Sequence, residues 1–201
     1  MRLLLYNPNT DKTLTAKLAA AVRLRLGPND SLEAVTSDRG TAFIGSDKTI
    51  ELARAPLLSG FEKRAQNSDA VLLGCFGDLG VDEVREKLRR PVVSLSDGFF
   101  AIAPFLGQRI GIVTTSPFWA ARLEAEAHHR NVARWITEIR PLDLTQQSAD
   151  SLHTQCRAIV ADFAKADQCD VAVLAGALLV AIASDLALDC SLQSSTLSLV
   201  R

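Results

Sequence analysis

The segment order predicts an α/β fold made of two pseudo-symmetric, Rossmann-like parallel-sheet halves facing each other across an active-site cleft. Two observations carry this expectation. Short apolar runs alternate with longer amphipathic stretches along the whole chain, and two of the runs recur about one hundred residues later at fixed offsets. Strand-length runs occupy 3–6, 32–35, 71–74, 92–95, 110–114, 135–139, 171–174 and 187–189. Helical patterns fill the intervals at 11–26, 49–65, 81–88, 99–106, 118–129, 149–166, 178–186 and 192–199. The polar stretch 36–48, with Gly40 and Gly45, is expected to be a long, mobile loop near a site.

The repeat divides the chain. Asp69-Ala70-Val71-Leu72-Leu73-Gly74-Cys75-Phe76 lies over Asp170-Val171-Ala172-Val173-Leu174-Ala175-Gly176-Ala177 at an offset of 101. Arg2-Leu3-Leu4-Leu5-Tyr6-Asn7-Pro8 lies over Arg109-Ile110-Gly111-Ile112-Val113-Thr114-Thr115 at an offset of 107. Either match alone is what short apolar strands produce by chance; both in the same order point to two halves. The expected division is 1–98 and 99–190, with the C-terminal helix 191–201 packing back on the first half. Strand C-terminal ends would point into the cleft.

Composition narrows the function. The 201 residues carry 22 Lys+Arg against 23 Asp+Glu, a net charge of −1, which argues against nucleic acid as a partner. The 48% hydrophobic content fits a globular protein rather than a disordered chain. No apolar run reaches the roughly 20 residues of a membrane helix, and 3–6 is too short for a signal-peptide core. Four cysteines without a CxxC pair and three histidines offer no zinc spacing, so reduced thiols in a cytoplasmic protein are expected. No GxxxxGKS/T loop or GxGxxG fingerprint supports nucleotide chemistry.

Cys75 is the strongest chemical candidate. It follows a buried-strand pattern within Gly74-Cys75-Phe76-Gly77-Asp78-Leu79-Gly80 and precedes a helix near Val81. Glycines let such a turn present its amides, and a thiol beside them is expected to ionise more readily. The competing reading makes Cys75 a small core residue, and Asp78 a turn residue or cap. Asn7, Asn9 and Thr10 offer two side-chain amides and a hydroxyl after the first strand; Thr114 and Thr115 offer hydroxyls at the matching place. All of these could equally be caps and turn-formers. Cys156, Cys169 and Cys190 read as packing residues. His128, His129 and His153 read as helical surface residues.

These residues resemble the aspartate/glutamate/hydantoin racemase superfamily, and within it the hydantoin and allantoin racemase branch. The resemblance rests on Leu5-Tyr6-Asn7-Pro8-Asn9-Thr10, on Gly74-Cys75-Phe76-Gly77-Asp78 and on Val113-Thr114-Thr115. It implies a homo-oligomer with a small-molecule substrate bound between two halves, without metal or coenzyme. It also implies Cys75 as the first-half acid/base. Asn9, Thr114 and Thr115 would hold the substrate's carbonyl or carboxylate, with the amides after Cys75 (Phe76 and Gly77) and after Gly176 (Ala177). The family pattern places a second cysteine where this chain has Gly176. Neither Ser184, Asp185 nor Cys190 is an evident replacement.

The reading is a racemase- or epimerase-like enzyme acting at an acidic carbon of an amino-acid derivative. A one-cysteine carbon-acid enzyme (decarboxylase, isomerase or lyase) and a catalytically silent binding protein are the alternatives. The decarboxylase branch of the family also uses one cysteine, but keeps the second-half one.

Overall fold

The computed structural model describes residues 1–60, 62–77, 79–144, 148–165 and 169–179. It divides into two compact units, Met1–Gly98 and Phe99–Arg201. Each contains its own parallel sheet.

In the first unit the strands are β1 (Arg2–Asn7), β2 (Ser31–Thr36), β3 (Ala70–Leu73) and β4 (Val92–Ser94), in the spatial order β2-β1-β3-β4. Helix α1 (Lys12–Arg23) connects β1 to β2. Helices α2 (Asp47–Gly60) and α3 (Glu62–Ala65) lie between β2 and β3, and α4 (Val81–Leu88) precedes β4. The continuous apolar run of β1 follows from its central place, where helices cover both sheet faces. Leu4 and Leu5 are fully buried, whereas the edge strand β2 alternates exposed and half-buried residues before Val35.

The second unit begins inside α5 (Leu95–Leu106) and continues through β5 (Ile110–Thr114), α6 (Pro117–His129), β6 (Ile136–Pro141), α7 (Ala149–Lys165) and β7 (Val171–Ala175). Its order is β6-β5-β7. Central β5 is buried at every residue. Phe163, Cys156 and Leu174 are among the residues that form its core with Val113.

The repeat is built into both sheets. Offsets of 107 and 101 map Leu3 onto Ile110 and Ala70 onto Val171, and the structure pairs Leu3 with Ala70 and Ile110 with Val171. The strand beginnings are closed in the same way. Arg2 Nη2 donates to Asp69 Oδ1 at 2.9 Å, and the Asp69 N–H donates to the Arg2 carbonyl at 2.7 Å. In the second sheet the corresponding Arg109–Asp170 distances are both 2.7 Å. Each arginine hydrogen bond holds its carboxyl below the usual aspartate value.

Several boundaries differ from the sequence reading. The expected strand 92–95 ends at Ser94 and α5 starts at Leu95, four residues before the expected 99. A reciprocal cap stops the strand: Asp97 N–H donates to Ser94 Oγ at 3.0 Å, and Ser94 N–H donates to Asp97 Oδ2 at 2.9 Å. The expected helix 49–65 comprises α2 and α3, and a 3-10 turn at Ala133–Trp135 leads into β6. The expected elements 187–189 and 192–199, most of 178–186, and Asp78, Ser184, Asp185 and Cys190 lie outside the described residues.

Candidate functional site

Each sheet has one place where successive connections leave in opposite directions. In the first, the chain passes from β1 to β2 on one side and returns to β3 on the other; in the second, β5 lies between β6 and β7 in the same way. Outside the carboxyl ends of two such strands the loops diverge and leave a crevice, where open α/β sheets bind ligands. β1 ends at Asn7 and the turn after it carries Asn9 and Thr10, while the turn after β3 carries Cys75, Phe76 and Gly77. β5 ends at Thr114 with Thr115 next, and after β7 come Gly176 and Ala177. These ten residues therefore stand at the switch points of their own sheets.

The first turn organises itself around Asn7, which is fully buried. Its Nδ2 donates to Asn9 Oδ1 at 2.7 Å, Thr15 Oγ1 at 2.9 Å and the Asp11 carbonyl at 3.1 Å, while its Oδ1 accepts from the Asn9 N–H at 3.2 Å. Asn7 thus serves the turn itself. Asn9 Oδ1 also accepts from the Asp11 N–H at 3.0 Å; a backbone N–H can only donate, so this contact fixes the amide orientation. The Asn9 NH₂ then has no acceptor among the described residues, although Asn9 is only 9% exposed. Asp11, not Thr10, caps α1, accepting from the N–H groups of Thr13 and Leu14.

The stretch expected to be a mobile loop is stitched to this turn. Thr10 N–H donates to the Thr41 carbonyl, and Ser37 N–H to the Asn7 carbonyl, both at 2.9 Å. Ile44 is buried, and α2 already begins at Asp47.

Cys75 is 8% exposed and Phe76 equally so. The turn's glycines have separate reasons. A Cβ at Gly74 would stand 2.9 Å from Leu18 Cδ1, so glycine is what lets α1 pack against this strand end. Gly80 has φ +90°, a left-handed conformation that ends the turn and starts α4. At the turn's start, the Cys75 carbonyl accepts from Leu95 N–H at 3.2 Å. This brings Ser94 and Ser96, each 1% exposed, to the same sheet edge. Reading 92–95 as strand hid them; the Ser94-x-x-Asp97 spacing was the available signal.

In the second sheet Thr114 Oγ1 donates to the Ala175 carbonyl at 2.9 Å, tying the two strand ends together. Thr115 is 4% exposed, and its hydroxyl has no partner among the described residues. It borders a hollow of about 510 Å³, between residues 115–117 and 141–144 of the second unit. A Cβ at Gly176 would lie 3.0 Å from the Thr115 methyl group.

The remaining thiols have other surroundings. Cys156 is fully buried in α7, and burial pushes its thiol up to about 11; burial also raises Cys169. Both therefore stay protonated at neutral pH. His128 and His129 are exposed in the last turn of α6. No group of three or more metal-ligating side chains occurs among the described residues, and none of their helices is long and apolar enough to cross a membrane.

A family model described as Asp/Glu/Hydantoin racemase matches residues 3–200. The chain belongs to this family. Among individual racemases, a hydantoin racemase of Paenarthrobacter aurescens is 32% identical over 119 residues, which are 58% of this chain and 50% of that protein. The chain thus spans about half the length of that relative. The allantoin racemase structure from Klebsiella pneumoniae superposes with a TM-score of 0.85 at 23% identity, covering 100% of this chain and 86% of the other. An arylmalonate decarboxylase structure shares the fold at a TM-score of 0.57 and 20% identity, over 87% of this chain and 76% of that one. In this member of the racemase family, the turn after β3 carries a cysteine and the matching turn after β7 a glycine.

Proposed function

We propose that this chain is a racemase- or epimerase-like enzyme acting at the acidic carbon of an amino-acid derivative, a hydantoin-like ureide or an amino acid. Cys75 is its acid/base, and no metal or coenzyme takes part. The observation that carries the reading is the meeting of Cys75 with the Asn7–Thr10 turn at one switch point, in a chain of the racemase family. The Cys75 thiolate removes the proton on the acidic carbon, becoming a thiol, and the C–H electron pair moves to the adjacent carbonyl as an enolate. Asn9, whose NH₂ is oriented by its own turn, donates to the enolate oxygen. Return of the proton by Cys75 on the original face regenerates the substrate; protonation of the opposite face by water inverts it, and the hydroxide so formed takes the proton of the Cys75 thiol.

Gly176 favours a second reading, a one-thiol carbon-acid enzyme, because the Thr115 methyl already crowds the position where a second Cβ would start. In that case Cys75 protonates the carbanion left by loss of CO₂, or its thiolate takes a proton from one carbon and returns it to another carbon of the same molecule.

Exchange in D₂O decides between them. Candidate hydantoins, ureides and amino acids are incubated with the protein and with Cys75→Ser, and deuterium at the acidic carbon and optical rotation are followed together. Exchange with inversion supports the racemase reading, and exchange without inversion the one-thiol reading. Cys75→Ser should lower either rate by about a thousandfold. No exchange across all three substrate classes removes the racemase reading.

A further inference from the structure

We propose that Arg85 and Asp97 are positioning residues for Cys75: together they lock the helix that ends the thiol's turn to the junction that holds the thiol residue's carbonyl. The role assigned to Cys75 rests on the function proposed above; the geometry does not.

Cys75 and Gly80 are each held by an anchor. At the front, the Leu95 N–H holds the Cys75 carbonyl, and Leu95 is the first residue of α5. At the back, Gly80 turns the chain into α4, where the Val84 N–H donates to the Gly80 carbonyl. Arg85 joins the anchors. From α4 its Nε donates to the Val92 carbonyl of β4 at 2.9 Å, and its Nη2 to Asp97 Oδ2 of α5 at 2.7 Å. Its Nη1 donates to Asp82 at 2.7 Å, which holds the guanidinium plane against its own helix.

Asp97 Oδ2 also accepts from Ser94 N–H, while Asp97 N–H donates to Ser94 Oγ, which lies 3.0 Å from Ser96 Oγ. Leu95, whose amide holds Cys75, stands between those two buried serines. A displacement of α4 is thereby passed through a forked, charge-assisted contact to the residue next to the one that holds the thiol's backbone. A second arginine secures the back anchor from outside: Arg54 of α2 pairs with Glu83 of α4 and lies against Gly80. Lysine could offer charge to Asp97 but could not hold Val92 and Asp97 with one planar fork.

The test compares Arg85→Gln, Asp97→Asn and Arg85→Lys with Arg2→Gln, which breaks an ion pair in the same unit at the opposite sheet edge. Iodoacetamide labelling of Cys75, read by peptide mass, reports how firmly the turn is held; kcat and KM of deuterium exchange report alignment. In Arg85→Gln and Asp97→Asn, Cys75 should be labelled about fivefold faster, and kcat should fall about tenfold with KM within about twofold. Arg85→Lys should fall between these and the native protein, Arg2→Gln should match the native protein, and Cys156 should stay unlabelled throughout. Native labelling rates in both Arg85→Gln and Asp97→Asn overturn the proposal, as does equal acceleration in Arg2→Gln. The labelling arm needs no substrate, so absent exchange in the native protein would remove the functional reading while labelling still decides the positioning role.

Discussion

The ends of β3 and β7 stand at matching registers beside β1 and β5, yet they finish in different chemistry. Both strands pair with the central strand of their unit in the same register, and both begin at an Arg–Asp clasp. At the carboxyl end the repeat sets Gly74 against Ala175 and Cys75 against Gly176. In the first unit Leu18 of α1 takes the space over Gly74 and a side chain is carried one residue later; in the second, the strand end has its Cβ and the next residue has none. Asn7 and Thr114 diverge likewise. Both close the central strand and are buried, but Asn7 organises a whole turn whereas Thr114 makes one bond to its neighbour. The sheet constrains register at one edge and leaves the other edge open to change, which is why sites collect there.

Variants that make the halves alike, or more unlike, test this contrast. The largest stability effect belongs to Asn7→Ala: it should cost about 2–3 kcal/mol by leaving buried partners unpaired, against about 1 kcal/mol for Thr114→Val. Urea unfolding of both variants measures the difference, and equal costs would remove the asymmetry between the turns. Gly74→Ala should cost about 1–3 kcal/mol by driving a methyl into Leu18, whereas Ala175→Gly should cost about 1 kcal/mol through lost burial and added chain freedom.

Gly176→Cys is expected to destabilise by about 1 kcal/mol through the Thr115 methyl, and Thr115→Ser in the same chain should restore that loss. If the second turn is the working counterpart of the first, the double variant gains exchange with inversion in D₂O. Recovered stability without any gain in inversion would confine the repeat to architecture.

The smallest effect should be shared by both halves. Hydrogen bonds from Arg2 and Arg109 hold Asp69 and Asp170 below the usual aspartate value. Their contribution to stability is therefore present above about pH 4 and is lost as pH falls through the lowered folded-state value. Arg2→Gln and Arg109→Gln should each lower the urea midpoint slightly at pH 7 and less at pH 3, because these pairs are exposed to solvent. A large effect in one half alone would show that the clasps are not equivalent.

The alternating pattern and the two offsets made the parallel sheets legible, since a strand covered on both faces must be apolar throughout. Cys75 and the Asn7–Thr10 turn were legible because glycine, proline and asparagine mark places where the backbone turns at a strand end. The start of α5 was missed: apolar Leu95 extends the run Val92-Val93, and the capping box that stops the strand shows only when Ser94 and Asp97 are paired. The stretch 36–48 read as mobile from its composition, and nothing local reveals the hydrogen bonds that Thr41 and Ser37 make to a turn some thirty residues away.

By itself the sequence determined the fold class, the internal repeat and the family, because all three are written in periodicity and in short runs of neighbouring residues. The tertiary structure alone decided that Asn7 serves its own turn while Asn9 keeps its donors, that Gly74 makes room for Leu18, and that Thr115 stands over Gly176. Each of these depends on distances between residues far apart in the chain, which composition and spacing do not carry.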